Sequence, residues 1–142
     1  MLAAGHDLLD DAACTIPVPL HPIRRVTRGF NQARLLARRL PLPVMPALWR
    51  IRATQPQESL SAAARQRNVR GAFRLSALLS ARTRARFVEG RIVVLIDDVR
   101  TTGATLEHCA AVLKDAGARE VRALTVAVAQ PHARRGNPDV AD

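Results

Sequence analysis

The sequence predicts an α/β fold with a mostly parallel central sheet flanked by helices. Three observations carry this. The unbroken apolar run "RIVVLI" (91–96) suits a parallel strand covered on both faces. The helical pattern that follows places Leu106, Cys109, Ala110 and Leu113 on one stripe, and Gly117 sits where a helix C-terminal glycine belongs. A further strand pattern, "EVRALTVAVA" (120–129), comes next. Strand, helix and strand with tight connections make a βαβ unit, and therefore a parallel sheet.

The rest of the chain is read in order. "CTIPVPL" (14–20) is a short buried strand, and Pro17 and Pro19 suit a strand near an edge or one that stops early. "HPIRRVTRGFNQ" (21–32) is a basic loop. "ARLLARRL" then carries Ala33, Leu36, Ala37 and Leu40 at helical spacing until Pro41 and Pro43 stop it. "VMPALWR" (44–50) reads as a second short strand, and the polar, basic stretch 51–73 contains one helix near 59–67. "RLSALLSARTRARFVEG" (74–90) fits a helix or an irregular crossover equally. The tail from Gln130 onward is polar and frayed.

Bulk composition bounds the function. The 142 residues fit one domain, and 48% hydrophobic residues supply a real core. No apolar run approaches the roughly 20 residues of a membrane helix, and the N-terminus lacks the pattern of a secretory signal, so a cytoplasmic protein is expected. Cys14 and Cys109 form no C-x-x-C pair and read as two reduced thiols acting as small apolar residues. The net charge of +10 implies anionic partners such as phosphates or nucleic acid. Aromatic content of 3%, with no tyrosine, argues against a surface that stacks bases on rings.

The stretch "VVLIDDVRTTGATL" (93–106) concentrates the chemistry. A helix N-terminus offers unpartnered N–H groups and the positive end of a dipole. Gly103 lets the backbone close around a ligand, and Thr101, Thr102 and Thr105 add hydroxyl donors. Together they form a cradle for one phosphate. Carboxylates beside such a site need another task, and two fit. They accept hydrogen bonds from sugar hydroxyls, and they help hold Mg²⁺ together with substrate phosphates. Capping explains one Asp or one Thr, but not the set "DDVRTTGAT". Neither G-x-x-x-x-G-K-[ST] nor G-x-G-x-x-G occurs, which excludes a P-loop ATPase and an ordinary dinucleotide binder.

This stretch resembles the phosphoribosyl pyrophosphate (PRPP) binding motif of type I phosphoribosyltransferases: an apolar strand, two acids, then T-[ST]-G-x-T. More narrowly, "IPVPLHPIRRVTRGFNQARLLARRL", "LWRIRATQPQ", "LSAAARQRNVRGAF" and the motif occur in the order seen in the ComF family, the competence protein F-like phosphoribosyltransferases of bacteria. The resemblance covers about residues 13–129. It implies a type I-like domain over 13–129 with a small flexible hood at about 51–73, an N-terminal extension over 1–12 and a disordered tail over 130–142.

The resemblance also implies roles. Asp97 and Asp98 would meet the ribose hydroxyls as the catalytic acids, with Mg²⁺ close by on the diphosphate. Arg100, Thr101, Thr102, Gly103, Ala104 and Thr105 would hold the 5-phosphate. Arg24, Arg25 and Arg28 would grip the pyrophosphate, and Arg52, Gln55, Arg65 and Asn68 would face the ligand from the hood. The reaction implied is displacement of pyrophosphate from PRPP by a nitrogen acceptor, in a setting linked to DNA uptake. A PRPP- or nucleotide-sensing protein without turnover remains an alternative, as does a module that binds single-stranded DNA or competence proteins. Longer family members carry an N-terminal four-cysteine zinc ribbon. This chain begins almost at the first core strand, so a shortened member, or one whose ribbon was lost in gene calling, is expected.

The remaining residues receive structural readings. Phe30 and Asn31 read as core and helix cap beside a functional Arg28, and Arg34, Arg38 and Arg39 as a solvated face. Arg82, Arg84 and Arg86 form a run that is the first choice for weak nucleic-acid contact. The four histidines show no metal spacing. His108 is expected to be exposed, and Trp49 to be packed.

Overall fold

A computed structural model describes residues 7–20, 31–51, 61, 63, 71–100 and 103–128, with the backbone alone for 99–100 and 126–128. The elements are β1 (Ala12–Pro17), α1 (Gln32–Ala37), β2 (Leu48–Arg50), β3 (Phe73–Leu75), α2 (Ala81–Phe87), β4 (Ile92–Arg100), α3 (Ala104–Asp115) and β5 (Glu120–Val128). The expected basic loop at 21–30, the helix near 59–67 and the tail lie outside the described residues.

β4 is the middle strand of a three-stranded sheet of order β1-β4-β5, and both of its pairings are parallel. Its side chains alternate between two cores, as a period of two requires. Val93 and Leu95 join Cys14, Ile16, Leu106, Cys109 and Leu113 on the face covered by α3. Val94 and Ile96 join Ala33 and Ala37 of α1 on the other. Helices thus lie on both faces, which is why "IVVLI" has no polar interruption. The stripe of α3 is buried at Leu106, Cys109 and Leu113, whereas Ala110 is half-buried. Gly117 ends the helix at φ 101°, a conformation suited to glycine.

β1 stops at Pro17, and its outer edge meets the 43–45 segment. There Thr15 N donates to Pro43 O (2.9 Å) and Met45 N to Thr15 O (2.8 Å). The predicted strand over 44–50 divides accordingly: Val44 forms an isolated bridge with Thr15, and only Leu48–Arg50 is a strand. β2 pairs antiparallel with β3 in a separate two-stranded sheet, Arg50 opposite Phe73 and Trp49 opposite Arg74. The ambiguous stretch 74–90 resolves into the end of β3, a turn and α2. The Ser80 side chain caps α2 by accepting from Thr83 N (3.1 Å).

Candidate functional site

The site begins where the sheet becomes asymmetric. β1 and β4 pair as far as Pro17 and Ile96, and Val18 N donates to Ile96 O (2.9 Å). β5 continues beside β4 for longer, pairing Thr125 with Asp97, Ala127 with Val99 and Val128 with Arg100. Pro19, which has no N–H to donate, follows where β1 has left the ladder. Asp97 and Asp98 therefore stand on the segment of β4 that outruns β1, at the carboxyl end where ligands of parallel sheets bind. Both are half-buried. Asp97 Oδ1 accepts from Asp98 N (2.9 Å), which folds that carboxylate against the backbone of the next residue.

The alternation of β4 carries through the acids. Asp97 follows Val93 and Leu95 toward the α3 side, and Asp98 follows Val94 and Ile96 toward the α1 side. Two carboxylates on opposite faces share one ligand only at the edge of β4 that β1 has left, where a small molecule can straddle the strand. On the α3 side, the Cys109 thiol is pushed up to about 12, first by burial and then by the Asp97 charge, with the Arg50 charge opposing.

Gly103 is the first described residue after β4. This residue is buried and caps α3 at φ 78°, with no side-chain cap hydrogen bond. A side chain is disfavoured at such a φ, so glycine is favoured here by conformation. Ala104 is buried, Thr105 is half-buried, and the first helical bond runs from Glu107 N to Gly103 O (2.9 Å). Thr101, Thr102 and the Arg100 side chain lie outside the described residues. So do Arg24, Arg25, Arg28, Arg52, Gln55, Arg65 and Asn68.

The anchors of the segments carrying those arginines are nevertheless defined. Asn31 caps α1, its side chain accepting from Arg34 N (3.4 Å), while its Nδ2 donates to Val18 O (3.1 Å). One side chain thus ties the exit of the 21–30 segment to the end of β1, beside the acids. The segment between β2 and β3 leaves and returns across the Arg50–Phe73 pair, closed by Ile51 N donating to Ala72 O (2.8 Å).

Arg50 is a residue that sequence reasoning missed. It lies half-buried on the inner side of β2, with its guanidinium carbon 5.3 Å from the centre of the Phe73 ring. Trp49 faces the other way and is 45% exposed, so the expectation that it is packed is corrected. In a three-residue strand, alternation sends Leu48 and Arg50 inward and the tryptophan out. His108 is half-buried rather than exposed, whereas Arg34, Arg38 and Arg39 are solvated as expected. Among the described residues there is no cluster of three or more metal-ligating side chains.

Residues 26–140 match the phosphoribosyl transferase domain family. The chain belongs to that family, and within it to the ComF-like group. It is 40% identical over 112 residues to DNA utilization protein YhgH of Escherichia coli O157:H7, covering 75% of this chain and 45% of that protein. It is 37% identical over 112 residues to Competence protein F of Haemophilus influenzae (75% of this chain, 46% of that protein). Competence protein ComFC of Bacillus subtilis is 35% identical over 102 residues (72% of this chain, 38% of that protein). The matched region spans less than half the length of these relatives.

Proposed function

We propose that the chain binds PRPP with Mg²⁺ and transfers its phosphoribosyl group to a nitrogen acceptor, releasing pyrophosphate. The observation that carries this reading is the conjunction at one sheet end. A strand outruns its neighbour with two half-buried carboxylates, and a left-handed glycine then opens a helix. The 5-phosphate would lie against the first turn of α3 with Arg100 to Thr105, and the ribose hydroxyls would reach Asp97 and Asp98 past the strand end. Arg24, Arg25 and Arg28 would take the pyrophosphate, since a guanidinium fork binds phosphate oxygens two at a time. Arg52, Gln55, Arg65 and Asn68 would close over it from the hood, within a domain spanning 13–129.

The donor set suits magnesium. The two carboxylates are hard oxygen ligands, too few to cage the ion, and Mg²⁺ is ordinarily held by one or two carboxylates plus substrate phosphates and water. When bound, it neutralises charge on the departing pyrophosphate. The bond from C1 to the pyrophosphate oxygen breaks through an oxocarbenium-like transition state, and the acceptor nitrogen forms the new bond to C1 and sheds its proton. This chain's part is to position the sugar and offset charge. A cytoplasmic setting is part of the same reading.

Calorimetry with PRPP and Mg²⁺, beside a pyrophosphate-release assay over a panel of bases, tests the proposal. Binding with release supports transfer, and binding without release supports a PRPP-sensing protein. Asp97→Asn with Asp98→Asn should weaken PRPP at least tenfold, and unchanged affinity refutes the site.

A second reading has its own observation. At the opposite end of the strands Arg91 and Arg119 are exposed and Lys114 Nζ donates to Arg119 O (2.8 Å), while Arg82 and Arg86 are exposed on α2, where Arg84 pairs with Glu89. This cationic end would meet the backbone of single-stranded DNA, in keeping with the DNA-utilization and competence names of the relatives. No binding at moderate salt in a titration with single-stranded DNA refutes it.

A further inference from the structure

We infer that residues 7–11 form a strap across the α1-side core, latched shut by Arg122 of β5 and hinged where β1 begins. The strap opens as a unit while the sheet beneath it stays folded. This goes beyond the phosphoribosyl reading and does not rest on it.

The latch is a single guanidinium. Arg122 Nη1 donates to Asp7 O (3.0 Å), Leu8 O (3.2 Å) and Asp10 O (2.8 Å), residues 112 to 115 positions away in sequence. Its Nε donates to Glu120 Oε1 (2.7 Å), two residues back on the same face of β5. One side of the fork is thus fixed to the strand and the other is turned to the strap. The carbonyls need such a donor. Residues 7–9 are helical, and the chain turns at Asp10 and Asp11. The last carbonyls of a helix have no partner within it, and they carry the negative end of its dipole. A donating cation satisfies both conditions. The Arg122 side chain is only 20% exposed, so these bonds are sheltered from water.

The cover is thin. Leu9 and Ala12 join Leu36 and Leu124 around Val94 and Ile96. α1 has six residues, too few to cover this face of the nine-residue β4 and β5 alone, and Leu9 adds to it. Leu8 and Leu9 are only half-buried, and Asp7, Asp10 and Asp11 are exposed. A segment with so little apolar burial opens at a cost well below that of global unfolding.

The hinge lies where the ladder is interrupted. Asp11 has φ 60°, and among the described residues it is the one non-glycine in the left-handed region. Ala12 then stands opposite Ile92 and Cys14 opposite Val93, so Ala13 is an extra residue in β1. The bulge keeps Ala12 on the strap's side of the sheet and turns Cys14 and Ile16 toward α3. From Cys14 onward β1 is locked by full burial. Ahead of Ala12 the chain is held to the sheet through Leu9 and the Arg122 fork.

The test is cleavage of the full chain by endoproteinase Asp-N, which cuts ahead of aspartates, with hydrogen exchange of residues 92–96 read on the same preparations. In Arg122→Met, cleavage at Asp10 and Asp11 should accelerate at least about tenfold, as the loss of one charge-assisted hydrogen bond would give, while exchange across β4 stays at the parent rate. Arg122→Lys keeps the charge but has no fork to meet Glu120 and the three carbonyls together, so its cleavage rate should fall between the two. It is also the variant to read if Arg122→Met does not fold. Cleavage at the parent rate in Arg122→Met, or in Arg122→Lys where that alone folds, overturns the inference. Cleavage and β4 exchange rising in step overturns it as well, because the strap then opens only with the sheet.

Discussion

Gly103 offers the sharpest separation of backbone strain from ligand access. It adopts φ 78° at the N-cap of α3. A β-carbon in the left-handed region costs about 1–2 kcal/mol, so Gly103→Ala should destabilise the fold by that amount. For a chain of this size the loss corresponds to a melting temperature lower by about 3–8 °C. Asparagine enters the left-handed region more readily than alanine, so Gly103→Asn should melt closer to the parent. Access ranks the variants the other way. On the proposed reading, a ligand phosphate at the start of α3 would rely on charge-assisted hydrogen bonds, each contributing about 1.5–3 kcal/mol. Displacing even one by a side chain should weaken PRPP binding about tenfold or more. Gly103→Asn, the bulkier substitution, should lose at least as much affinity as Gly103→Ala despite its smaller melting shift. Differential scanning calorimetry and isothermal titration on the same preparations give both numbers. An alanine variant that melts within about 1 °C of the parent refutes the strain argument. An asparagine variant with full PRPP affinity refutes the cradle.

Three further outcomes follow from the geometry. Burial pushes both the Cys14 and the Cys109 thiol up to about 12 from an ordinary 9.0, so both should resist alkylation at pH 8 in the folded chain and react once it is unfolded in urea. Because the folded pKa is the raised one, the stability these thiols contribute is fully present below about pH 9 and drains away as pH climbs toward 12, which urea midpoints from pH 8 to 11 would show. Asn31→Ala removes the cap of α1 and the tie to Val18 together, so it should cost about 1–2 kcal/mol in urea unfolding and speed hydrogen exchange at Arg34 N, whereas a loss below about 0.3 kcal/mol would show that the tie is not maintained in solution.

Legibility in the sequence tracked how far each signal is local. β4, α3 and β5 were readable because an apolar run, a helical stripe and a terminating glycine lie within residues 91–129. The acids and Gly103 were readable for the same reason, since they sit on consecutive elements. β2 and β3 were not. Each is three residues long, and their partner strands are separated by 51–72, so no local pattern reports their register. Arg50 was missed and Trp49 misjudged through that one gap, because which of two neighbours faces inward depends on a pairing distant in sequence. α2 was ambiguous because it buries no residue and so leaves no stripe to read.

The closed base of the β2–β3 hairpin has a consequence for how such proteins can diverge. Arg50 and Phe73 hold the two chain ends together, and Ile51 and Ala72 seal them. Lengthening or replacing what lies between leaves the sheet's pairings unaltered, and each doubling of such a connection adds only about 0.6 kcal/mol of closure entropy. The stretch between them is therefore an exchangeable cassette, and transplanting it from a relative should leave the pairing of β2 with β3 intact.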